Sequence, residues 1–264
     1  MKFKKLTIAS LFMALMVAMP FHINAAPKGK QMYYEIKVFR FNSPAQAEAT
    51  DNYLKNAFIP ALHRAGINSI GVFKPVEKDT AYGKMTYVFI PYKTYDEYFK
   101  LVETLEKDQT YNQAGKAFLD ADVKAAPFTR YESIFMKAFA FMPEMKTYKY
   151  DTKPADRIYE LRSYESATEA KALKKISMFN EGGEMKIFEA IGSNPVFYGQ
   201  VLLGSQKPRL MYLTTYADMK SHDDHWTAFR EHPDWKKLSG MEEYKNTTSK
   251  TKAFLCHPTD YSDF

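Results

Sequence analysis

Charged and aromatic side chains alternate along two short stretches of the sequence, at a spacing that suits the binding of a polar ligand. Glu160 and Arg162 lie two residues apart and are followed by Tyr164, while Glu35 and Lys37 repeat the acid–base spacing near the start of the chain. Side chains two residues apart on a β-strand project to the same face of the sheet. Each charged pair is therefore either an ordinary ion pair on a polar outer surface or part of a pocket that holds a ligand.

Tyr87 and Tyr212 complete the candidate pocket, because each lies in an apolar, strand-like run and carries a hydroxyl group that can donate a hydrogen bond. If the sheets that carry these strands close on each other, we expect the charged side chains to point inward and to form a polar centre. Any binding site should depend mainly on the second stretch, because Lys37 lacks the planar, bidentate fork that Arg162 presents to a carboxylate. The predicted ligand-binding set is Glu160, Arg162, Tyr164, Tyr212, Glu35, Lys37 and Tyr87.

His222 and His225 lie three residues apart in a segment that is predicted to be helical, so both imidazoles would share one face of the helix. Zinc is a conceivable ligand for such a pair. The two aspartates between them, however, are ordinary residues for the start of a helix. We therefore predict no metal, with His222 and His225 as the weaker alternative. Trp226 and Trp235, which follow, are expected in the core, with an aromatic ligand platform as the alternative.

Recognisable cofactor and nucleophile motifs do not occur in the sequence. There is no Gly-x-Ser-x-Gly, no phosphate loop and no dinucleotide fingerprint, and the single Cys256 has no obvious base beside it. A haem held by His63 or by the His222 segment is a weaker alternative than a metal. We therefore predict no cofactor, assign no catalytic residues and leave open whether the protein is an enzyme.

The apolar pattern predicts the same order of elements in each half of the chain: strand, helix, two strands in a hairpin, a second helical region and a closing strand. The two closing strands share the phrase Lys-Ala-Phe, at 137–139 and at 252–254. Ser43 and Ser166 are the predicted N-caps of the first helices, and Gly182-Gly183 predicts a break in the second of these. The third strand of each half is apolar on both faces, which predicts a sheet covered on both sides.

One such half forms a four-stranded antiparallel sheet with two helices on one face, which is the ferredoxin-like arrangement. We predict an α+β fold in which two tandem ferredoxin-like (βαββαβ) units, residues 31–141 and residues 155–257, pair their antiparallel sheets. Residues 142–154 contain two prolines and no periodicity and are the predicted linker, and residues 258–264 are a predicted tail.

Several phrases in the second half resemble the NIPSNAP family. They are Tyr159-Glu160-Leu161-Arg162-x-Tyr164, Leu210-x-Tyr212-Leu213-x-x-Tyr216, Trp226-x-x-Phe229 and His232-Pro233-Asp234-Trp235. The first half keeps a Tyr-Glu-Ile-Lys strand but lacks both tryptophans, so it resembles the family as a degenerate copy. The resemblance spans residues 32–256 and implies an intrachain dimeric α+β barrel. That superfamily contains monooxygenases, isomerases, haem enzymes and non-enzymes, so the resemblance implies no particular reaction.

The first 25 residues have the pattern of a secretory signal: three lysines, an apolar run and a small-residue exit at Ala25. The apolar run is shorter than the roughly 20 residues that span a bilayer and is interrupted by Pro20. We predict cleavage near Ala25, a periplasmic or secreted location and no membrane association afterwards. Removal of the segment lowers the formal net charge from +6 to +3, which leaves no argument for a nucleic-acid partner.

Two functions are compatible with these patterns. In the first, the exported protein binds a small organic ligand in or beside the barrel, and could act as a cofactor-free enzyme. In the alternative, it is a non-enzymatic interaction or structural module whose barrel is filled with side chains. Inward-pointing Phe39, Phe197 and Met211 would favour filling. A homo-oligomer is compatible with either function.

Overall fold

The computed structural model of the protein describes residues 29–264, so the predicted signal peptide lies outside the described residues. The first unit consists of β1 (Tyr33–Arg40), α1 (Pro44–Tyr53), α2 (Ile59–Arg64), β2 (Gly71–Pro75), β3 (Met85–Tyr92), α3 (Tyr95–Lys107), α4 (Gln109–Ala114), α5 (Lys116–Leu119) and β4 (Arg130–Ala138). The second consists of β5 (Ile158–Glu165), α6 (Glu169–Asn180), α7 (Glu184–Ala190), β6 (Asn194–Leu203), β7 (Arg209–Tyr216), α8 (Met219–Glu231), α9 (Pro233–Ser239) and β8 (Lys250–Pro258). Within this described range, none of the helices has both the length and the apolar composition needed to cross a bilayer.

The two antiparallel sheets join into one closed barrel, in the strand order β1-β3-β2-β8-β5-β7-β6-β4. Each unit contributes four adjacent strands, and the units meet where β2 pairs with β8 and where β4 pairs with β6. Helices cover the outside of each sheet, and the opposite unit covers the inside. The predicted α+β fold, two ferredoxin-like units that form a dimeric α+β barrel within one chain, is confirmed.

The centre of the barrel is a packed aromatic core. The ring centroids of Phe89 and Phe197 are 5.0 Å apart in a stacked pair, and Tyr34 lies 5.0 Å from Phe197. The cavity that remains at the centre measures about 10 Å³, which is close to the least space that holds one water molecule. Phe197 and Met211 point into this core, whereas Phe39 packs on the other face of β1, beneath the helices.

Alternate side chains of strand β5 are buried in two different places, the barrel core and the layer beneath the helices. Tyr159 and Leu161 enter the barrel core, while Glu160, Arg162 and Tyr164 lie on the outer face, under the helices of the second unit. Strand β1 is divided in the same way. The expectation that the charged side chains point inward is therefore wrong. The apolar face is buried at the barrel axis among aromatic and aliphatic side chains, and the charged face lies under helices that supply hydrogen-bonding partners.

Local signals in the sequence set most of the helix ends. Ser43 caps α1 as predicted, by accepting a hydrogen bond from the backbone N–H three residues on. In the second unit the cap is Thr168 rather than the predicted Ser166, whose hydroxyl donates instead to the carbonyl oxygen of Thr247 at 2.6 Å. The helical region breaks at the predicted double glycine, because Gly183 adopts a left-handed φ of 89° that favours glycine.

The contact between β2 and β8 is short and is extended by the C-terminal residues. Only three residue pairs join these strands, and two of the pairs contain a proline, which has no N–H to donate. Beyond β8, the N–H groups of Thr259 and Asp263 donate to the carbonyl oxygens of Val72 and Ile70, each at 2.9 Å. Residues 259–264 therefore continue the contact between the two units along the edge of β2.

Candidate functional site

A cleft of about 530 Å³ opens between the outer face of β5 and the helices of the second unit. Its lining contains both tryptophans of the chain and six charged side chains. The residues that line it are Glu160, Arg162, Tyr164, Lys175, Glu184, His222, Asp223, Trp226, Thr227, Phe229, Arg230, Trp235, Thr248 and Thr251. Strand β5 supplies the floor, α6 and α7 supply one buried ion pair, and α8 and α9 supply the aromatic wall.

Glu160 is the centre of the site, although only 3% of it is exposed. Its Oε1 accepts a hydrogen bond from Nη1 of Arg162 at 2.6 Å, and its Oε2 accepts from the indole Nε1 of Trp226 at 2.6 Å and lies 3.3 Å from Nε2 of His222. Burial acts to raise the pKa of Glu160, but the hydrogen bond with His222 and the charge of Arg162 outweigh burial, so the pKa is lowered. Glu160 is therefore an ionised carboxylate that ties α8 to β5.

Arg162 is held in one orientation by its neighbours. Its Nε donates to the hydroxyl of Tyr164 at 3.2 Å, and its guanidinium carbon lies 4.4 Å from the ring centroid of Trp226, in range for a cation–π interaction. The hydroxyl of Tyr164 in turn lies 2.9 Å from that of Tyr212. Nη2 of Arg162 makes no hydrogen bond to any of residues 29–264, and 18% of the side chain is exposed. This guanidinium is thus a fixed cation with a donor available to the cleft.

His222 lies between two carboxylates. Its Nε2 faces Glu160, and its Nδ1 lies 2.9 Å from Oδ1 of Asp223. Burial acts to lower the pKa of His222, but the hydrogen bonds and charges of the two carboxylates outweigh burial, so the pKa is raised. His225 turns elsewhere, with its Nε2 3.1 Å from the carbonyl oxygen of Gly192. The two histidines do not converge on a metal, and within residues 29–264 no group of three or more His, Cys, Asp and Glu side chains is placed to hold one.

Lys175 and Glu184 form a buried ion pair in the wall of the cleft, with 2.7 Å between Nζ and Oε2. Burial raises the pKa of Glu184, and the opposing charge of Lys175 only partly offsets this effect. Nζ of Lys175 lies 4.8 Å from the ring centroid of Phe179 and 5.7 Å from that of Trp235. The sequence analysis missed this pair, and its one signal was a lysine on the buried face of α6.

The seven predicted ligand-binding residues do not form one site. Glu160, Arg162, Tyr164 and Tyr212 lie together in the second unit. Glu35 lies under the helices of the first unit, accepts hydrogen bonds from Ser133 at 2.5 Å and Tyr92 at 2.8 Å, and forms an ion pair with Lys37 at 2.8 Å. Strands β1 and β5 are on opposite sides of the barrel, so Glu35 and Lys37 are remote from the cleft. Tyr87 points into the barrel core and reaches neither group. A single polar centre is therefore the wrong description.

This fold, with a polar helix–sheet cleft in one unit, defines a dimeric α+β barrel protein that carries both units in a single chain. Residues 159–263 match the NIPSNAP family, and this range contains every residue of the cleft. The resemblance inferred from the sequence is thus confirmed for the second unit. No curated protein sequence matches the chain.

Among solved structures, three that span both units are similar in fold. A candidate monooxygenase from Lactobacillus acidophilus has a TM-score of 0.54 and 13% identity, over 86% of this chain and 94% of that one. A second candidate monooxygenase, from Fusobacterium nucleatum, has a TM-score of 0.53 and 10% identity, over 86% and 92% of the two chains. An anthrone oxidase-like protein has a TM-score of 0.52 and 11% identity, over 88% and 92%. At these identities the similarity shows the fold and not the reaction.

Proposed function

We propose that the protein is exported and binds a small aromatic carboxylate in the cleft of the second unit. The observation that carries this proposal is Arg162, which Glu160, Tyr164 and Trp226 hold in place while its Nη2 stays available. A preorganised guanidinium binds a carboxylate without first losing side-chain freedom. Export rests on the secretory pattern of residues 1–25.

The shape and the lining of the cleft favour an aromatic ligand of modest size. Its volume of about 530 Å³ lies within the range of small-molecule pockets, which is roughly 300–1,000 Å³. Trp226 and Trp235 supply flat, apolar surface beside the cations of Arg162 and Lys175. A planar ring packs against the indoles, while its carboxylate receives charge-assisted hydrogen bonds from the guanidinium.

The hydrogen bonding in the cleft supports binding ahead of catalysis. A general acid or base must reach the proton that it transfers. Both oxygens of Glu160 and both ring nitrogens of His222 are already engaged by other side chains. These two residues therefore position Arg162 and the wall of the cleft, and they leave no free acid–base group at its floor.

The filled barrel favours a second candidate function, a non-enzymatic interaction or structural module. Phe89, Phe197 and Tyr34 occupy the space that a ligand at the centre of the barrel would need. Under this alternative the cleft is a structural feature that binds no small carboxylate. The two functions predict different results. Under the first, a small carboxylate binds and its binding requires Arg162; under the alternative, no small carboxylate binds in the cleft.

Calorimetric titration with benzoate and with benzamide, its neutral analogue, tests the proposal. We expect benzoate to bind and benzamide to bind much more weakly. Arg162→Met should weaken benzoate binding by about 1–3 kcal/mol, because the carboxylate loses its charged partner. Lys37→Met is the matched control on the opposite side of the barrel and should leave the affinity unchanged.

Three results would count against the proposal: equal effects of the two substitutions, equal binding of benzamide, or no binding of benzoate to the folded wild-type protein. Native mass spectrometry of the exported protein adds an independent measurement, since a bound aromatic acid that is lost in Arg162→Met would identify the natural ligand.

A further inference from the structure

One end of the barrel contains a cavity of about 300 Å³ that is separate from the cleft. It lies on the inner face of the sheet, whereas the cleft lies on the outer face, and the two share no lining residue. Apolar side chains form most of its walls, and charged side chains form its rim. The residues that line it are Val38, Arg40, Met85, Tyr87, Glu132, Ile134, Leu161, Ser163, Gln206, Arg209, Met211, Lys252 and Phe254.

Arg209 is an unusual residue in this cavity because it is 4% exposed and yet incompletely paired. Its Nη2 donates to Oε1 of Glu132 at 3.1 Å, and its Nη1 donates to Oε1 of Gln206 at 3.3 Å. Its Nε has no hydrogen-bond partner among residues 29–264. Buried N–H groups in folded proteins are nearly always paired, so this donor is an exception and is free to bind an acceptor.

Ser163 provides a second unpaired donor on the neighbouring strand. It is 1% exposed, and its hydroxyl has no partner in the described part of the chain. In the register of β5 and β7, Ser163 pairs with Met211 and the next inward-facing pair joins Glu165 with Arg209. Ser163 and Arg209 are therefore diagonal neighbours on the inner face of the sheet, and both residues line the cavity.

The charge of the rim favours an anion. Arg40, Arg209 and Lys252 line the cavity, against one carboxylate, that of Glu132. Nζ of Lys252 also lies 2.7 Å from Oε1 of Glu165, so one positive charge remains in excess when that neighbour is included. A cation in a largely apolar, confined space attracts a counter-charge more strongly than one in water.

We propose that this end of the barrel binds a small aliphatic monocarboxylate. Its carboxylate oxygens accept hydrogen bonds from Nε of Arg209 and from the hydroxyl of Ser163, and its alkyl chain packs against Leu161, Met211 and Phe254. The site satisfies both buried donors at once. It is independent of the cleft, because neither Arg162 nor either tryptophan contributes to it.

Hexanoate and its neutral analogue 1-hexanol are the probes that test this site, with binding followed by calorimetry and by the methyl signals of labelled methionines. Hexanoate should bind the wild-type protein, shift the signals of Met85 and Met211, and bind Arg162→Met unchanged. Ser163→Ala should weaken hexanoate several-fold without lowering the melting temperature, because the substitution removes an unpaired buried hydroxyl. Arg209→Met should weaken it roughly ten- to a hundredfold, as expected for loss of a charged hydrogen-bond donor.

Each alternative outcome overturns the site. Failure of hexanoate to bind, equal binding of 1-hexanol, or unchanged affinity in Ser163→Ala would each do so. Loss of hexanoate binding in Arg162→Met would place the acid in the cleft instead. If Arg209→Met does not fold, Ser163→Ala and the two methionine signals still decide the question. Weak benzoate binding at the cleft would leave all of these results unaffected, so the two proposals fail separately.

Discussion

Replacing Glu160 with glutamine tests whether one buried carboxylate holds the cleft together. Three donors converge on this side chain: Arg162 carries a permanent positive charge, and His222 has a raised pKa. The third is the indole N–H of Trp226. A glutamine has only one oxygen that accepts hydrogen bonds, and its other terminal atom is an N–H donor. In either orientation of the amide, this donor faces Arg162 or faces Trp226 and His222. At least one buried donor then loses its acceptor.

We expect Glu160→Gln to lower the free energy of unfolding by about 3 kcal/mol, at the lower end of the range for breaking a buried ion pair. The lower end applies because Arg162 keeps its bond to Tyr164. The matched change Glu35→Gln should cost about 1 kcal/mol. Two of the three partners of Glu35 are the hydroxyls of Ser133 and Tyr92, which can turn to accept hydrogen bonds from the amide.

Urea unfolding near neutral pH, followed by tryptophan fluorescence and far-ultraviolet circular dichroism, measures both costs. A cost for Glu160→Gln no larger than that for Glu35→Gln would refute the reasoning. The acid range provides a further check on Glu160. Because its pKa is lower in the folded protein than its ordinary 4.5, its stabilising effect is present above pH 4.5 and is lost as the pH falls through the folded value. The difference between wild type and Glu160→Gln should therefore shrink in acid.

Three other predictions concern stability and processing. The raised pKa of His222 means that its stabilising effect is complete below its ordinary 6.5 and is lost as the pH rises through the folded value, so His222→Gln should lower the melting temperature more in mild acid than in mild base. Phe197→Ala should cost about 3–5 kcal/mol in urea unfolding, because it opens a cavity in the barrel core. Phe99→Ala, at a position that is 58% exposed, should cost less than about 0.5 kcal/mol, and similar costs would contradict a filled barrel. Mass spectrometry of the exported protein should find a chain that begins near Ala26, and a product that retains residues 1–25 would rule out cleavage.

The strands and their order were predictable because burial leaves a readable pattern. Strands β3 and β7 are buried along almost their whole length, as their continuous apolar runs indicated. The direction of the charged face was not predictable in the same way. Glu160 and Leu161 are both only 3% exposed. The alternation of charged and apolar residues along β5 therefore distinguishes two buried faces of the strand, and not a buried face from an exposed one. Only the packing of the helices decides which of them meets polar partners.

The candidate site was predictable where its residues lie on one strand or on its directly paired neighbour. Arg162 and Tyr212 are paired residues of β5 and β7, and Tyr164 lies on the same face as Arg162. Lys175 and Glu184 come from helices that approach the sheet only in the folded protein, and no spacing in the sequence links them to Glu160. Tyr87 was predicted in the ligand-binding set but lies in the barrel core. Its strand is apolar on both faces, so the sequence does not show which face points inward.

The short contact between β2 and β8 makes the barrel unequal around its circumference. Two of the three residue pairs between β2 and β8 contain a proline, so these strands share few backbone hydrogen bonds. Residues 259–264 add hydrogen bonds to β2 and to the residue before it, and so reinforce the contact between the two units. Local opening of the barrel should begin at this contact, because release of residues 259–264 exposes the edge of β2. We therefore expect the strength of this contact to set how often the aromatic core meets water, although none of residues 259–264 lines the cleft.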